Sequence, residues 1–376
     1  MQTIPRRRLP AWAKPGLVFL LGYVFLSSIN MMGGGFELIG AGFNERLVAL
    51  TTNPFAGLMV GIVATAVAQS STLVTTLTVG LVAAGTLDLH VAVPVIMGAN
   101  IGSTVTAVLV AMGFVGKRGR FRRAFAAATM NDCFNILSVL VFFPLELGTH
   151  VFERISLCLA GYFEHVTKFS SPRSPLTAAL SVFEGWAVSC AKACFGAHEV
   201  AAGVATVVVS LALMYASLFY LVTTTRSFLA GSVEKVLDRY FFRNPATALM
   251  LGFILTALIL SSGVTTGLTV PLITAGVLTM EQVFPYTMGA NVGTTVTALI
   301  AAIGTGQPAG LAIALVHFLF NMAGVVIVFP FKRMRAFPVF LARQLAGLTL
   351  RSRWYALAYI LVVFFLIPFI FLFLWG

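Results

Sequence analysis

The chain has 376 residues, 59% hydrophobic and 10% charged, a balance that excludes an ordinary water-soluble domain. Its net charge of +12 does not point to nucleic acid, because the basic residues fall in short connections: Arg6 to Arg8, Lys117 to Arg123, and Lys332 to Arg353. Clusters of this kind are the cytoplasmic flanks of membrane helices.

In chain order, the clearest runs long enough to cross a bilayer of roughly 30 Å are Gly16 to Met32, Val93 to Phe114, Phe125 to Phe143, Glu199 to Val222, Leu311 to Phe329 and Tyr355 to Trp375. A secretory signal also begins with basic residues before an apolar run. No small-residue cleavage site is evident after Leu26, however, and a retained first helix is expected. Cys190 and Cys194 are one helical turn apart and would pair only if residues 147–197 lie in an oxidising compartment. His and Cys show no metal-ligand spacing.

One segment is written twice. Asn53-Pro54 recurs as Asn244-Pro245, an offset of 191. The same offset carries Ser70-Ser71 onto Ser261-Ser262, Gly85 onto Gly276, Pro94 onto Pro285, and MGANIGSTVTA from Met97 onto MGANVGTTVTA from Met288. After a basic insertion at Lys117 to Arg123, Phe134-Asn135 matches Phe320-Asn321. Paired units of this kind mark secondary transporters that hold a substrate site between two halves. The first copy's basic loop has an uncharged counterpart at Gly304 to Gly310, which implies opposite orientations in the membrane.

The expected fold is therefore an all-α membrane protein of two inverted-topology repeats, each with a re-entrant helical hairpin, plus a C-terminal tail helix. Its parts are a basic cytoplasmic N-terminus (1–16), a first repeat (17–146, hairpin around 55–90), a partly extracellular connection (147–207), a second repeat (208–332, hairpin around 246–281), a basic amphipathic cytoplasmic segment (333–353) and the tail helix (354–376). The hairpins are expected where hydroxyl-rich segments, AQSSTLVTTLTVG from Ala68 and LSSGVTTGLTVP from Leu260, interrupt the apolar pattern before small-residue turns. Small residues also let membrane helices approach closely, which is the plainer reading of a single such segment. Repetition at one place in both copies favours a polar cavity. Gly and Asn of the two GAN runs are read as the start of a Thr-rich helix, offering unpaired N–H groups.

Hydroxyls and helix N-termini suit an anion, while amide, carbonyl and carboxylate oxygens suit a hard cation. Asp132 stands out as an acid in the apolar run Phe125 to Phe143, where ionisation is costly. The alternatives for it are an interfacial position or pairing with Arg122 or Arg123. His317 reads as a hydrogen-bonded helix residue rather than a proton relay.

These strings, with QSST at Gln69, FRRAFAAATMNDCFN, HFLFN and RWYALAYILVVFFLIP, resemble the type II sodium-phosphate cotransporter family, bacterial members included. The resemblance implies two facing hairpins that bind phosphate and sodium. Carried over by position, phosphate would meet Gln69, Ser70, Ser71, Thr72, Ser261, Ser262 and Thr266. Sodium would meet Asp132, Gln69, Asn100, Thr104, Asn135, Ser261, Asn291, Thr295 and Asn321. Leu260 and Gly263 stand where the family pattern has Gln and Ser, so two oxygen ligands are missing from the second hairpin. The expected function is sodium-coupled phosphate symport by alternating access in a multi-pass protein of the plasma membrane, a bacterial inner membrane. A proton-coupled or exporting oxyanion carrier and an anion channel are the rivals. No cofactor is expected beyond the co-transported sodium, and the partners are phosphate, sodium and the lipid bilayer, with self-association left open and nucleic acid excluded. No nucleophile with an adjacent His base appears, so the chain does not read as an enzyme.

Overall fold

The computed structural model describes residues 13–40, 53–163, 175–196, 198–240 and 244–375; the expected N-terminal cluster Arg6 to Arg8 lies outside them. Among the described residues all regular structure is helical. In chain order the elements are α1 (Ala13–Ile39), α2 (Pro54–Ala68), α3 (Ser71–Ala83), α4 (Leu89–Gly102), α5 (Val105–Met112), α6 (Arg118–Thr149), α7 (Val151–Tyr162), α8 (Pro175–Phe195) and α9 (Glu199–Tyr240). The second half continues with α10 (Pro245–Ile259), α11 (Ser262–Gly267), α12 (Thr269–Ala275), α13 (Met280–Thr305), α14 (Pro308–Val328), α15 (Lys332–Leu348) and α16 (Trp354–Leu361). A π-turn over Val362–Leu366 then leads into α17 (Ile367–Trp375). Pro368 explains the turn, since its missing N–H and its ring break the regular ladder just upstream.

Among the described residues, seven helical spans are long and apolar enough to cross a membrane. Six contain or overlap the runs expected from sequence. The seventh, Met280–Thr305, carries the second GAN run, whose Asn and Thr residues mask its apolar character. The protein is a multi-pass membrane protein, and its solvation pattern is inverted accordingly. Phe19, Phe373 and Leu374 are exposed on the outside, while Thr75, Thr129, Asp132, Thr265 and Thr295 are fully buried.

The duplication is visible in the packing. Asn53 and Asn244 cap the starts of α2 and α10, each with Pro as the first helical residue, where a missing N–H costs nothing. α2 lies against α4, and α10 against α13, through glycines at equivalent places. A Cβ on Gly61 would run into the Val95 carbonyl, and one on Gly252 into the Tyr286 carbonyl. Gly98 likewise faces the Leu58 carbonyl, as Gly289 faces that of Leu249. These backbone-on-backbone seams correct the reading of the GAN runs. In the second copy the run lies inside one unbroken helix, Met280–Thr305, so its N–H groups are not freed by a helix start. Its glycine serves close approach instead. In the first copy the helix is interrupted at Ser103-Thr104, but Thr104 makes no side-chain cap.

The second arms exchange partners across the halves. α3 packs on α13 and α14, while α11 and α12 pack on α5, and α12 also on α6. α1 packs on α9, where Gly35 meets Val207 and Gly203, and Ile39 meets Gly203. Cys190 and Cys194 are free and exposed on α8.

Candidate functional site

Each broken hairpin turns at a residue in left-handed backbone conformation. Gln69 has φ 52° and ψ 27°, and its repeat partner Leu260 has φ 62° and ψ 24°. The serines that follow are extended, with φ −151° at Ser70 and −152° at Ser261, and each caps the next helix. Ser70 Oγ accepts from Leu73 N at 3.1 Å, and Ser261 Oγ from Val264 N at 3.4 Å. Capping uses an oxygen lone pair, so each hydroxyl keeps its proton for a further acceptor.

The two tips meet. Thr72 Oγ1 donates to the Leu260 carbonyl at 3.4 Å, and Thr106 Oγ1 to the Gln69 carbonyl at 3.2 Å. Gln69, Ser70 and Ser261 border one cavity of about 680 Å³, together with Thr106, Thr223 and Arg226. Arg226 and Thr223 come from α9, and sequence reasoning passed over both because they lie beyond the end of the apolar run Glu199 to Val222.

Beneath the second tip lies a smaller cavity of about 10 Å³, bordered by Ser103, Thr104, Asn131, Ser262, Thr266, Thr269 and Thr287. That is space for about one water-sized particle. Of the residues expected at the site, Thr104, Ser262 and Thr266 border this cavity. Ser71 and Thr72 are buried within the first tip.

Next to it runs a buried amide network. Asn131 and Asn291 exchange side-chain hydrogen bonds at 3.2 and 3.0 Å, and Asn291 Nδ2 also donates to Asn135 Oδ1 at 2.8 Å. Asn135 Nδ2 in turn donates to the Asn100 carbonyl at 2.7 Å, while Asn100 Nδ2 donates to the Ile96 carbonyl at 2.9 Å. Asn131 and Asn135 share a face of α6, since residues four apart are neighbours. Asp132 points elsewhere.

Asp132 is completely buried, and its Oδ2 accepts from Tyr359 Oη at 3.0 Å. Its Oδ1 has no hydrogen-bond partner among the described residues. Asp132 pairs with neither Arg122 nor Arg123, which instead border a separate cavity of about 560 Å³ with Glu281 and Arg343. Tyr359 was not a sequence candidate: it lies in the apolar tail helix, 227 residues from Asp132, and no local motif links them. Thr295 Oγ1 donates to its own helix at Val292, and Asn321 Nδ2 at His317; neither borders the tip cavities. His317 Nδ1 is buried without a hydrogen-bond partner among the described residues, contrary to the hydrogen-bonded role expected of it.

The chain is a multi-pass helical membrane protein with a duplicated unit, and equivalent serines of the two copies border one cavity. Residues 24–163 and 213–351 each match the family model described as Na+/Pi-cotransporter, and the chain belongs to that family. It is 33% identical to sodium-dependent phosphate transport protein 2A of Ovis aries, over 92% of this chain and 65% of the relative. Identity to protein 2B of Homo sapiens is 29%, over 94% and 64%, and to protein 2A of Oryctolagus cuniculus 32%, over 98% and 68%. The chain thus spans about two thirds of the length of these relatives, which by name are transporters and not enzymes. No solved structure matches the chain.

Proposed function

We propose that this protein is a sodium-coupled carrier of inorganic phosphate, with the anion bound in the cavity shared by the two hairpin tips. The observation that carries the reading is that Ser70 and Ser261, equivalent residues from opposite copies, border one cavity with Arg226. Two hydroxyl protons and a guanidinium offer hydrogen bonds and positive charge to a tetrahedral oxyanion, while Thr106 lies beside them.

Sodium is the second substrate. A hard cation suits the unpartnered Oδ1 of Asp132, and the small cavity lined by Thr104, Asn131, Ser262, Thr266 and Thr269 offers neutral oxygens for another. Positive charge held there offsets the charge of the arriving phosphate. Each ligand then raises the affinity for the other.

The hairpins are re-entrant in this reading. α2 and α10 have 15 residues each, about 22 Å of helix, too short for a roughly 30 Å core. Inverted topology is supported by equivalent helices that cross antiparallel. On α1 and α9, Gly35 reaches Val207 while Ile39 reaches only back to Gly203. On α6 and α14, Phe134 lies against Gly324 whereas Phe142 stacks edge-on with Phe320. Inversion lets relative movement of the halves expose the same cavity to either side in turn.

The test is uptake of radiolabelled phosphate into proteoliposomes under an inward sodium gradient. Accumulation above equilibrium that disappears when choline replaces sodium is the expected result, and the Ser70→Ala/Ser261→Ala double variant should abolish it. Uptake unaffected by choline would overturn sodium coupling. A second reading, proton coupling, is favoured by the Asp132–Tyr359 hydrogen bond, because a buried carboxyl facing a phenol can carry a proton instead of sodium. Uptake driven by an inward proton gradient without sodium would establish it.

A further inference from the structure

On the side of the first copy away from the tips, three metal-ligand side chains from two distant segments of the chain converge. His90 stands in the first turn of α4, His150 at the junction of α6 and α7, and Glu153 in the first turn of α7. Both histidine Nδ1 atoms approach the same carboxylate oxygen, Glu153 Oε2, at 3.1 Å from His90 and 3.3 Å from His150. The two imidazole rings are 4.8 Å apart between centroids, and one ligand atom from each of the three residues lies within 4.8 Å of the others.

Three features separate this cluster from a surface contact. First, the spacing is close to that of a shared ion. Ligands about 2.0–2.1 Å from a tetrahedral zinc stand about 3.3 Å from one another; the two His–Glu separations are 3.1 and 3.3 Å, and with all three atoms within 4.8 Å an ion would draw the two exposed histidines together by about an ångström.

Second, the backbone is bent to make it. His150 has φ 52°, one of only three non-glycine residues with positive φ among the described residues; the other two are the hairpin tips Gln69 and Leu260. Such a conformation costs roughly 1–2 kcal/mol in a residue with a Cβ, and glycine would hold that helix end without it. Strain of this kind gathers where a side chain must be aimed. Nearby, Glu146 accepts from the backbone N–H groups of Phe152 and Glu153 at 2.8 and 3.1 Å, which fixes the turn and leaves the Glu153 carboxylate to the histidines.

Third, the repeat shows what the position does. The offset that superposes the copies carries His90 onto Glu281, which ion-pairs with Arg343 of α15 at 2.6 Å. Each copy therefore ties the start of its GAN helix to the amphipathic helix after its closing helix. In the second copy an anion and a cation make the tie. In the first, two imidazoles and a carboxylate do.

We propose that His90, His150 and Glu153 form a zinc site of the two-histidine, one-carboxylate type, with a fourth position open to solvent. Neutral imidazole and carboxylate suit Zn²⁺ better than Ca²⁺ or Mg²⁺, which favour all-oxygen shells. The side chains are 47%, 36% and 21% exposed in that order, so an ion can reach them. A bound ion would clamp α4 to the α6–α7 junction. The site is independent of the transport reading. It was invisible to spacing rules because His90 and Glu153 are 63 residues apart.

The test uses the full chain, purified in detergent through an affinity tag without histidines and stripped of metal. One Zn²⁺ per chain is expected by equilibrium dialysis with elemental analysis, together with a rise in unfolding temperature that Ca²⁺ and Mg²⁺ do not produce. His90→Ala and Glu153→Gln should each weaken zinc affinity by about tenfold or more and remove the temperature rise. His150→Gly relieves the backbone strain while deleting a ligand, so it should fold at least as well without metal and still lose the zinc response. Absence of stoichiometric zinc in the parent chain would overturn the site. Equal zinc affinity in the parent and all three variants would do the same, by placing the metal elsewhere, for example at Cys190 and Cys194.

Discussion

The two hairpin tips have nearly the same backbone and different chemistry. Gln69-Ser70-Ser71-Thr72 and Leu260-Ser261-Ser262-Gly263 follow matching torsions through the turn and into the cap. Only the first offers an amide at the turn and a hydroxyl in the fourth place. The conformation is set by what the copies share: a capping serine and glycine seams against the GAN helix. Side chains in the turn were then free to diverge. The contrast separates residues that build the tips from residues that give each tip its own chemistry.

The strongest way to break the comparison is to attack a seam. Gly98→Val and Gly289→Val each drive a side chain into a backbone carbonyl that cannot yield, where overpacking costs about 3 kcal/mol or more. Both variants should lose monodisperse protein on gel filtration, and tolerance of one alone would show that the seams are not equivalent. Next in size is Asp132→Asn, which keeps shape and deletes charge. Interactions with a charged group contribute about 1.5–3 kcal/mol, so the sodium concentration for half-maximal uptake should rise at least tenfold. Unchanged sodium activation would remove Asp132 from the cation site.

Ser70→Ala and Ser261→Ala test the tips themselves. Loss of a helix cap costs about 1 kcal/mol, and the effect on unfolding should be larger at Ser70, whose capping bond is the shorter. Phosphate affinity should fall by a similar factor in both, because each contributes one hydroxyl. A loss confined to one serine would mean that the anion sits on one copy only. The smallest effect belongs to Leu260→Gly, which removes left-handed strain but loosens the unfolded chain, and should change stability by less than about 1 kcal/mol. Gln69→Gly should match it in stability yet impair uptake, because it alone removes an amide.

Much of this architecture was readable before any coordinates. A constant offset between Asn53 and Gly113 marked the equivalent positions of the two copies and their hydroxyl-rich segments; that Asn53, Asn244, Ser70 and Ser261 cap helices and that Gln69 and Leu260 turn the chain depends on backbone torsions that residue type alone does not fix. Packing between distant segments was not readable. The GAN glycines resemble a helix start in sequence and serve as helix contacts in three dimensions; only the opposing backbone tells the two apart. Tyr359 reaches Asp132 from a tail helix that composition marks as plain lipid-facing material. Met280–Thr305 escaped notice as a span because the Asn and Thr it buries against protein lower its apolar character. Position alone also grouped residues that the fold sets apart: Ser70 and Ser261 border one cavity, while Thr295 and Asn321 border neither tip cavity.

The glycine seams have a mechanical consequence. Where two helices touch main chain to main chain, no flexible side chain lies between them to absorb sliding, so α2 with α4, and α10 with α13, behave as stiff blades. The tips bridge to their surroundings more lightly, through the long Thr72–Leu260 bond and the Thr106–Gln69 bond. Shear between the halves would therefore part the blades at their points first and leave each blade whole.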